Sequence, residues 1–93
     1  MCGISGLINF SKKPNISIVN KMNEKISYRG PDFKTTWSNS YSSIGFVRLA
    51  IIDLENGSQP ISDGNSLSLV ANGEIYNHLE LRKQFKNNYD FLT

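Results

Sequence analysis

The sequence predicts a small α+β domain. Short apolar runs of strand length alternate with stretches of helical spacing, in the order strand, helix, strand, strand, long loop, strand, helix. Hydrophobic content of 39% and charged content of 19% suit a globular chain, not a disordered one. With 93 residues there is room for one small domain at most and a modest core.

Taken in order, Gly3 to Phe10 reads as a strand, with Ile4, Leu7 and Ile8 apolar and with Gly3 and Gly6 permitting close packing or close ligand approach. From Asn15 to Ser27 the residues Ile18, Val19, Met22 and Ile26 recur at helical spacing, which predicts an amphipathic helix. Arg29-Gly30-Pro31-Asp32 ends it, because Gly suits a helix C-terminus and Pro cannot continue one. Phe33 to Trp37 and Ser43 to Ile52 read as strands joined by the polar loop Ser38-Asn39-Ser40. Asp53 to Asn65 is a loop rich in Gly, Asn, Ser and Asp. Leu67 to Ala71 reads as a buried strand that delivers Asn72-Gly73-Glu74 to one edge of the core. Asn77 is the expected N-cap of a second helix, with Glu80 completing a capping box and Tyr76 stapling to Leu81. Leu81 and Phe85 would line the inner face of this helix, which runs to about Asn87 by the same pattern. Tyr89 to Thr93 has the composition to begin another strand.

Charge and composition exclude several classes. The net charge of +2 comes from 10 basic and 8 acidic residues, with no basic stripe longer than Lys12-Lys13, so nucleic acid is not an expected partner. No apolar run approaches the ~18 residues of a membrane span, and there is no signal-peptide pattern at the N-terminus. A single Cys excludes an internal disulfide and, with a single His, an ordinary all-protein zinc site. The expected compartment is a reducing cytoplasm.

Three features carry chemistry. A lone Cys is ordinarily an inert buried residue, but Cys2 follows the initiator Met. Removal of Met1 would put a thiol and an α-amine on one residue, and an amine titrating at about 8 is a suitable local general base. Such a nucleophile wants an amide or ester carbon and an oxyanion hole. Asn72-Gly73-Glu74 offers an amide N–H, an approachable backbone N–H and a charge, although Asn-Gly by itself is a common turn. Arg48 interrupts the apolar run Phe46 to Ile52. It is either a structural ion pair or snorkelling side chain, or a planar fork for a carboxylate.

Met-Cys-Gly-Ile-Ser-Gly at 1–6, Arg-Gly-Pro-Asp at 29–32, Arg-Leu-Ala-Ile-Ile-Asp at 48–53, Gln59-Pro60 and Asn-Gly-Glu-Ile-Tyr-Asn at 72–77 occur in that order. Together they resemble the N-terminal glutaminase domain of glutamine-hydrolysing asparagine synthetases, class II glutamine amidotransferases of the N-terminal-nucleophile (Ntn) hydrolase fold. The resemblance implies an αββα sandwich, of which residues 1–93 would be the N-terminal part, about the first half, with the synthetase domain absent. It implies that Cys2 attacks the glutamine side-chain amide and that Asn72 and Gly73 form the oxyanion hole. It implies that Arg48 holds the α-carboxylate, that Leu49, Ala50, Ile51 and Ile52 line the pocket, and that Glu74 binds the α-ammonium. Glutamine would be hydrolysed to glutamate and ammonia through a thioester. A synthetase domain outside this chain would use the ammonia to make asparagine from aspartate and ATP. The implied partners are glutamine, the remainder of the amidotransferase domain and that synthetase domain, and a homo-oligomer is left open. No cofactor is implied in this segment, ATP and Mg2+ belonging to the synthetase domain. A non-catalytic fragment or interaction module, or the glutaminase of another amidotransferase, are the alternatives. Arg29 and Asp32 read as structural, holding the helix end against the nucleophile strand. Gln59-Pro60 reads as loop geometry, and His78 receives no role.

Overall fold

The computed structural model describes residues 2–49 and 57–91. Three strands, β1 (Gly3–Ile8), β2 (Phe33–Ser38) and β3 (Ser42–Arg48), form an antiparallel sheet in the order β1-β3-β2. β3 is central because it carries the densest apolar run, and it is the strand flanked on both sides. Its register sets Gly3 opposite Val47 and Phe33 opposite Arg48.

Helix α1 (Ile16–Lys25) lies across one face of this sheet. Asn15 caps it with an extended backbone (φ −74°, ψ 110°), its side chain accepting from the Ser17 N–H at 3.0 Å. Val19 and Val47 are fully buried, and Met22 and Ile26 are half-buried. The inner stripe differs from the expected one at two positions. Ile18 is 46% exposed, and the polar Asn23 is 2% exposed. Asn23 is satisfied where it sits: its Oδ1 accepts from Ser5 Oγ at 2.8 Å and its Nδ2 donates to Thr35 O at 3.1 Å. Gly45 leaves the space, since a Cβ there would overlap Asn23 Oδ1 and Ser5 Oγ. One helix residue thereby pins two strands, which a hydrophobic count along the helix does not reveal.

The alternation of side chains sends Ser43, Gly45 and Val47 toward α1 and Ile44, Phe46 and Arg48 to the opposite face. Ile4, Ile8, Phe33, Thr35 and Trp37 share that opposite face by register. Phe46 is buried there (1% exposed), but Ile4, Ile8 and Phe33 are 45, 67 and 48% exposed. Ile4, Gly6, Ile8 and Ile44 line an open groove there together with Val70.

The second half of the chain departs further from expectation. Within the expected loop, Ile61–Ser62 is a short strand, β4, which pairs with β5 (Ser68–Leu69) around a turn containing Gly64 at φ 80°. The expected buried strand from Leu67 to Ala71 is thus a two-residue strand, and Leu67 and Leu69 are 70 and 61% exposed. Among the described residues its pairing partner is β4 alone, which is too short to make an inner face. Helix α2 spans His78–Phe85. Asn77 does not cap it with its side chain: its backbone (φ −97°, ψ 30°) lacks the extended form that Asn15 adopts, and the expected capping box is not made. Tyr76 is 92% exposed, so it does not staple to Leu81. Leu81 is half-buried, whereas Phe85 is 38% exposed and meets Tyr89 edge-on. Tyr89, Asp90 and Phe91 are not in a strand, and Phe91 lies under the Arg82 guanidinium at 4.7 Å. Among the described residues, two α-helices with antiparallel sheets suit the expected α+β class. Among the described residues no helix is long and apolar enough to cross a membrane.

Candidate active site

Cys2 directly precedes β1. Continuing the β1–β3 register by one residue sets it opposite Arg48. Its thiol is free and half-buried, with Sγ donating weakly to Leu49 O at 3.9 Å. Arg29 fixes the same residue from the other side: its Nε donates to Cys2 O at 3.1 Å. The expected structural role for Arg29, holding the helix end to the strand that Cys2 precedes, is therefore present as a direct hydrogen bond.

The Arg-Gly-Pro-Asp turn closes on β3 at this point. After α1 the chain makes one 3-10 turn, Ser27–Arg29, whose end is closed by Gly30 N–H donating to Ser27 O at 3.2 Å. Pro31 bridges to Arg48, and Asp32 N–H donates to Arg48 O at 3.1 Å. Gly30 permits this approach: a Cβ there would lie 2.5 Å from Arg48 N and from the Val47 carbonyl carbon. Arg48 itself is 6% exposed. Burial in low dielectric strengthens whatever charge-assisted bonds its guanidinium makes.

Asn72, Gly73 and Glu74 form a second cluster, all exposed, on the bend that follows Ala71. A Cβ added at Gly73 would meet no atom within 4 Å, so packing among the described residues does not require glycine there. What holds this bend is Gln59. Its Nε2 donates to Ala71 O at 3.1 Å, and its Oε1 accepts from Ala71 N–H at 2.6 Å. The Gln59 carbonyl in turn accepts from Thr35 Oγ1. Thr35 stands opposite Phe46, two residues from Arg48 on the same face of the sheet. The bend bearing Asn72 and Gly73 is thus tethered to the face that carries Arg48.

The structure therefore brings Cys2, Arg48 and Leu49 to one end of β1 and β3, and ties the 72–74 bend to that sheet through Gln59. Ala50, Ile51, Ile52 and Asp53 lie outside the described residues. His78 is exposed at the start of α2. Among the described residues no three His, Cys, Asp or Glu side chains are grouped to hold a metal ion. Two contributors escape a reading of residue types alone, Gln59 and Asn23. A Gln just before Pro signals only a loop, and its use is decided by a partner 12 residues away.

A family model described as a glutamine amidotransferase domain matches residues 1–93. The chain belongs to the glutamine amidotransferase domain family. Among curated relatives it is 40% identical over 92 residues to asparagine synthetase [glutamine-hydrolyzing] 2 of Bacillus subtilis, covering 94% of this chain and 12% of the relative. It is 39% identical over 101 residues to asparagine synthetase [glutamine-hydrolyzing] 1 of the same organism, covering 100% of this chain and 16% of the relative. To asparagine synthetase [glutamine-hydrolyzing] of Brassica oleracea it is 38% identical over 90 residues, covering 94% and 15%. The chain spans between about an eighth and a sixth of the length of these relatives. The expected resemblance to the glutamine amidotransferase domain of proteins named as glutamine-hydrolysing asparagine synthetases is thus borne out.

Proposed function

We propose that residues 1–93 carry the nucleophile and the glutamine-binding groups of a glutaminase, as the N-terminal part of an Ntn-hydrolase domain. The observation that carries this reading is the placement of Cys2 opposite the buried Arg48, with its carbonyl held by Arg29. A nucleophile fixed beside a carboxylate-binding fork suits a substrate that is itself an amino acid.

In this reading Met1 is removed, and the Cys2 α-amine takes the thiol proton, directly or through a water. The thiolate attacks the side-chain amide carbon of glutamine. The carbonyl oxygen becomes an oxyanion, held by the Asn72 side-chain N–H and the Gly73 backbone N–H. The open space around Gly73 suits such an approach. The C–N bond breaks, the amide nitrogen takes the proton from the α-ammonium of Cys2, and ammonia leaves a γ-glutamyl thioester. Water then adds to the thioester, glutamate departs and the thiol is restored. Arg48 binds the substrate α-carboxylate, Glu74 its α-ammonium, and Leu49 to Ile52 line the pocket. None of these steps uses a cofactor.

The ammonia is used by a synthetase domain beyond this chain, with ATP and Mg2+, to form asparagine. The exposed Ile4, Ile8 and Phe33 face suits cover by the remainder of the amidotransferase domain. The test is Cys2→Ala in the chain extended to full domain length. Glutamine hydrolysis should disappear while the protein stays folded, and intact mass should show loss of Met1 from the active form. Hydrolysis surviving in Cys2→Ala would overturn the assignment.

A further inference from the structure

We infer that Gln59 is a positioning residue for glutamine hydrolysis, holding the Asn72-Gly73 bend in place through Ala71. The inference rests on the proposed use of Asn72 and Gly73 as oxyanion donors. Its geometry does not depend on that use. The Gln59 amide meets both backbone groups of Ala71, donating to its C=O at 3.1 Å and accepting from its N–H at 2.6 Å. One side chain thereby imitates the paired bonds of a β-bridge, immediately before the bend. Its own carbonyl is fixed by Thr35 Oγ1 in β2.

Little else holds this stretch among the described residues. Ala71 to Glu80 is exposed throughout, and β5 ends at Leu69. An oxyanion hole works only if its donors are already placed where negative charge will develop, so a tether of this kind acts on the transition state more than on substrate binding. Removing the tether should therefore lower kcat and spare KM.

The test uses the chain extended to full domain length. Gln59→Met keeps the shape and loses both bonds. Gln59→Glu keeps the acceptor for Ala71 N–H but sets a second acceptor against Ala71 O. We expect kcat for glutamine hydrolysis to fall about ten- to hundredfold in Gln59→Met, less than the ~10²–10³ lost with an oxyanion donor itself, with KM changed less than about twofold. Gln59→Glu should be at least as impaired at neutral pH and should recover in part as the new carboxyl is protonated. Hydrogen exchange gives a readout free of activity: the Ala71 amide should lose protection in Gln59→Met while the β1–β3 amides keep theirs.

Gln59→Met with parental kcat, or with Ala71 as protected as before, would overturn the inference and leave the glutaminase reading standing. A rise in KM with kcat unchanged would overturn it as well. Absence of Cys2-dependent hydrolysis in the unsubstituted protein would instead overturn the glutaminase reading, and this inference with it. Should Gln59→Met fail to fold, the pH recovery of Gln59→Glu decides alone: its absence in a folded protein counts against the tether.

Discussion

Gly30→Ala tests whether the Arg-Gly-Pro-Asp turn fixes Cys2, the proposed nucleophile. The Gly30 backbone (φ −149°, ψ 76°) is in a region open to any residue, so the substitution tests space and not conformation. The added Cβ would sit 2.5 Å from Arg48 N and from the Val47 carbonyl carbon, and 2.6 Å from Val47 O. These are backbone atoms of the central strand and have no rotamer to give. Ordinary contact begins at 3.4 Å, so the turn must retreat by about 0.9 Å, the shortfall of 2.5 Å from that value. The Asp32 N–H bond to Arg48 O and the Arg29 Nε bond to Cys2 O, each now 3.1 Å, would then stretch beyond useful length. The first is worth about 1 kcal/mol, and the second, from a charged donor, about 1.5–3 kcal/mol. If the turn holds its place instead, overpacking costs about 1–3 kcal/mol. Either route predicts a loss of about 1–4 kcal/mol. In urea unfolding of the chain extended to full domain length, the midpoint should fall with the slope unchanged. The kcat for glutamine hydrolysis should fall as well, measured where both proteins are folded, because Cys2 loses the Arg29 hydrogen bond to its carbonyl. An unchanged midpoint and an unchanged kcat would refute the claim that this turn is pressed against β3.

Two further outcomes are expected. Arg48→Lys keeps the charge but loses the planar fork, so the KM for glutamine should rise about ten- to hundredfold, the equivalent of ~1.5–3 kcal/mol; an unchanged KM with a lowered Tm would move Arg48 from the binding site to the scaffold. At the β4–β5 turn, the N–H groups of Asn65 and Leu67 (2.8 and 3.0 Å) hold the Asp63 carboxyl below its ordinary value of 3.8. Its contribution to the turn is therefore full above that value and is lost as pH falls through the lower folded value. A carboxyl titration midpoint at or above 3.8 in NMR would contradict these bonds.

The first half of the fold was legible because its signals are local. The run Ile4 to Ile8 has strand length and composition, Val19, Met22 and Ile26 recur at helical spacing, and the chain adopts both. The observed β1, α1, β2 and β3 lie inside or within one residue of the expected ranges. The second half was less legible because its signals depend on partners. Leu67 to Ala71 has the composition of a buried strand, yet burial needs a neighbour, and among the described residues its pairing partner is the two-residue β4. Asn77 and Glu80 have the spacing of a capping box, but spacing does not set the backbone angle of Asn77. The site divides in the same way. Cys2 stood out by its position after Met1, Arg48 as a charge inside an apolar run, and Arg29 as a turn residue aimed at the strand that Cys2 precedes. Gln59 was marked only within the Gln59-Pro60 motif and read as loop geometry, since an amide in a loop becomes informative only when Ala71 is seen against it.

The two faces of the sheet differ in how they are packed. The α1 face is closed: Val19 and Val47 are fully buried, and Asn23 finds partners on β1 and β2. Arg48 lies on the opposite face, as does Thr35, whose hydroxyl secures Gln59 and hence the 72–74 bend. Cys2 joins that face when the β1 register is continued by one residue. A closed face thus backs the one on which the proposed site is assembled, although the buried Ser43 Oγ on the closed face finds no hydrogen-bond partner among the described residues. Substitutions at Val19 or Asn23 should then register in stability first. Substitutions at Gln59 should register in kcat first, because β3 remains in place when the tether is cut.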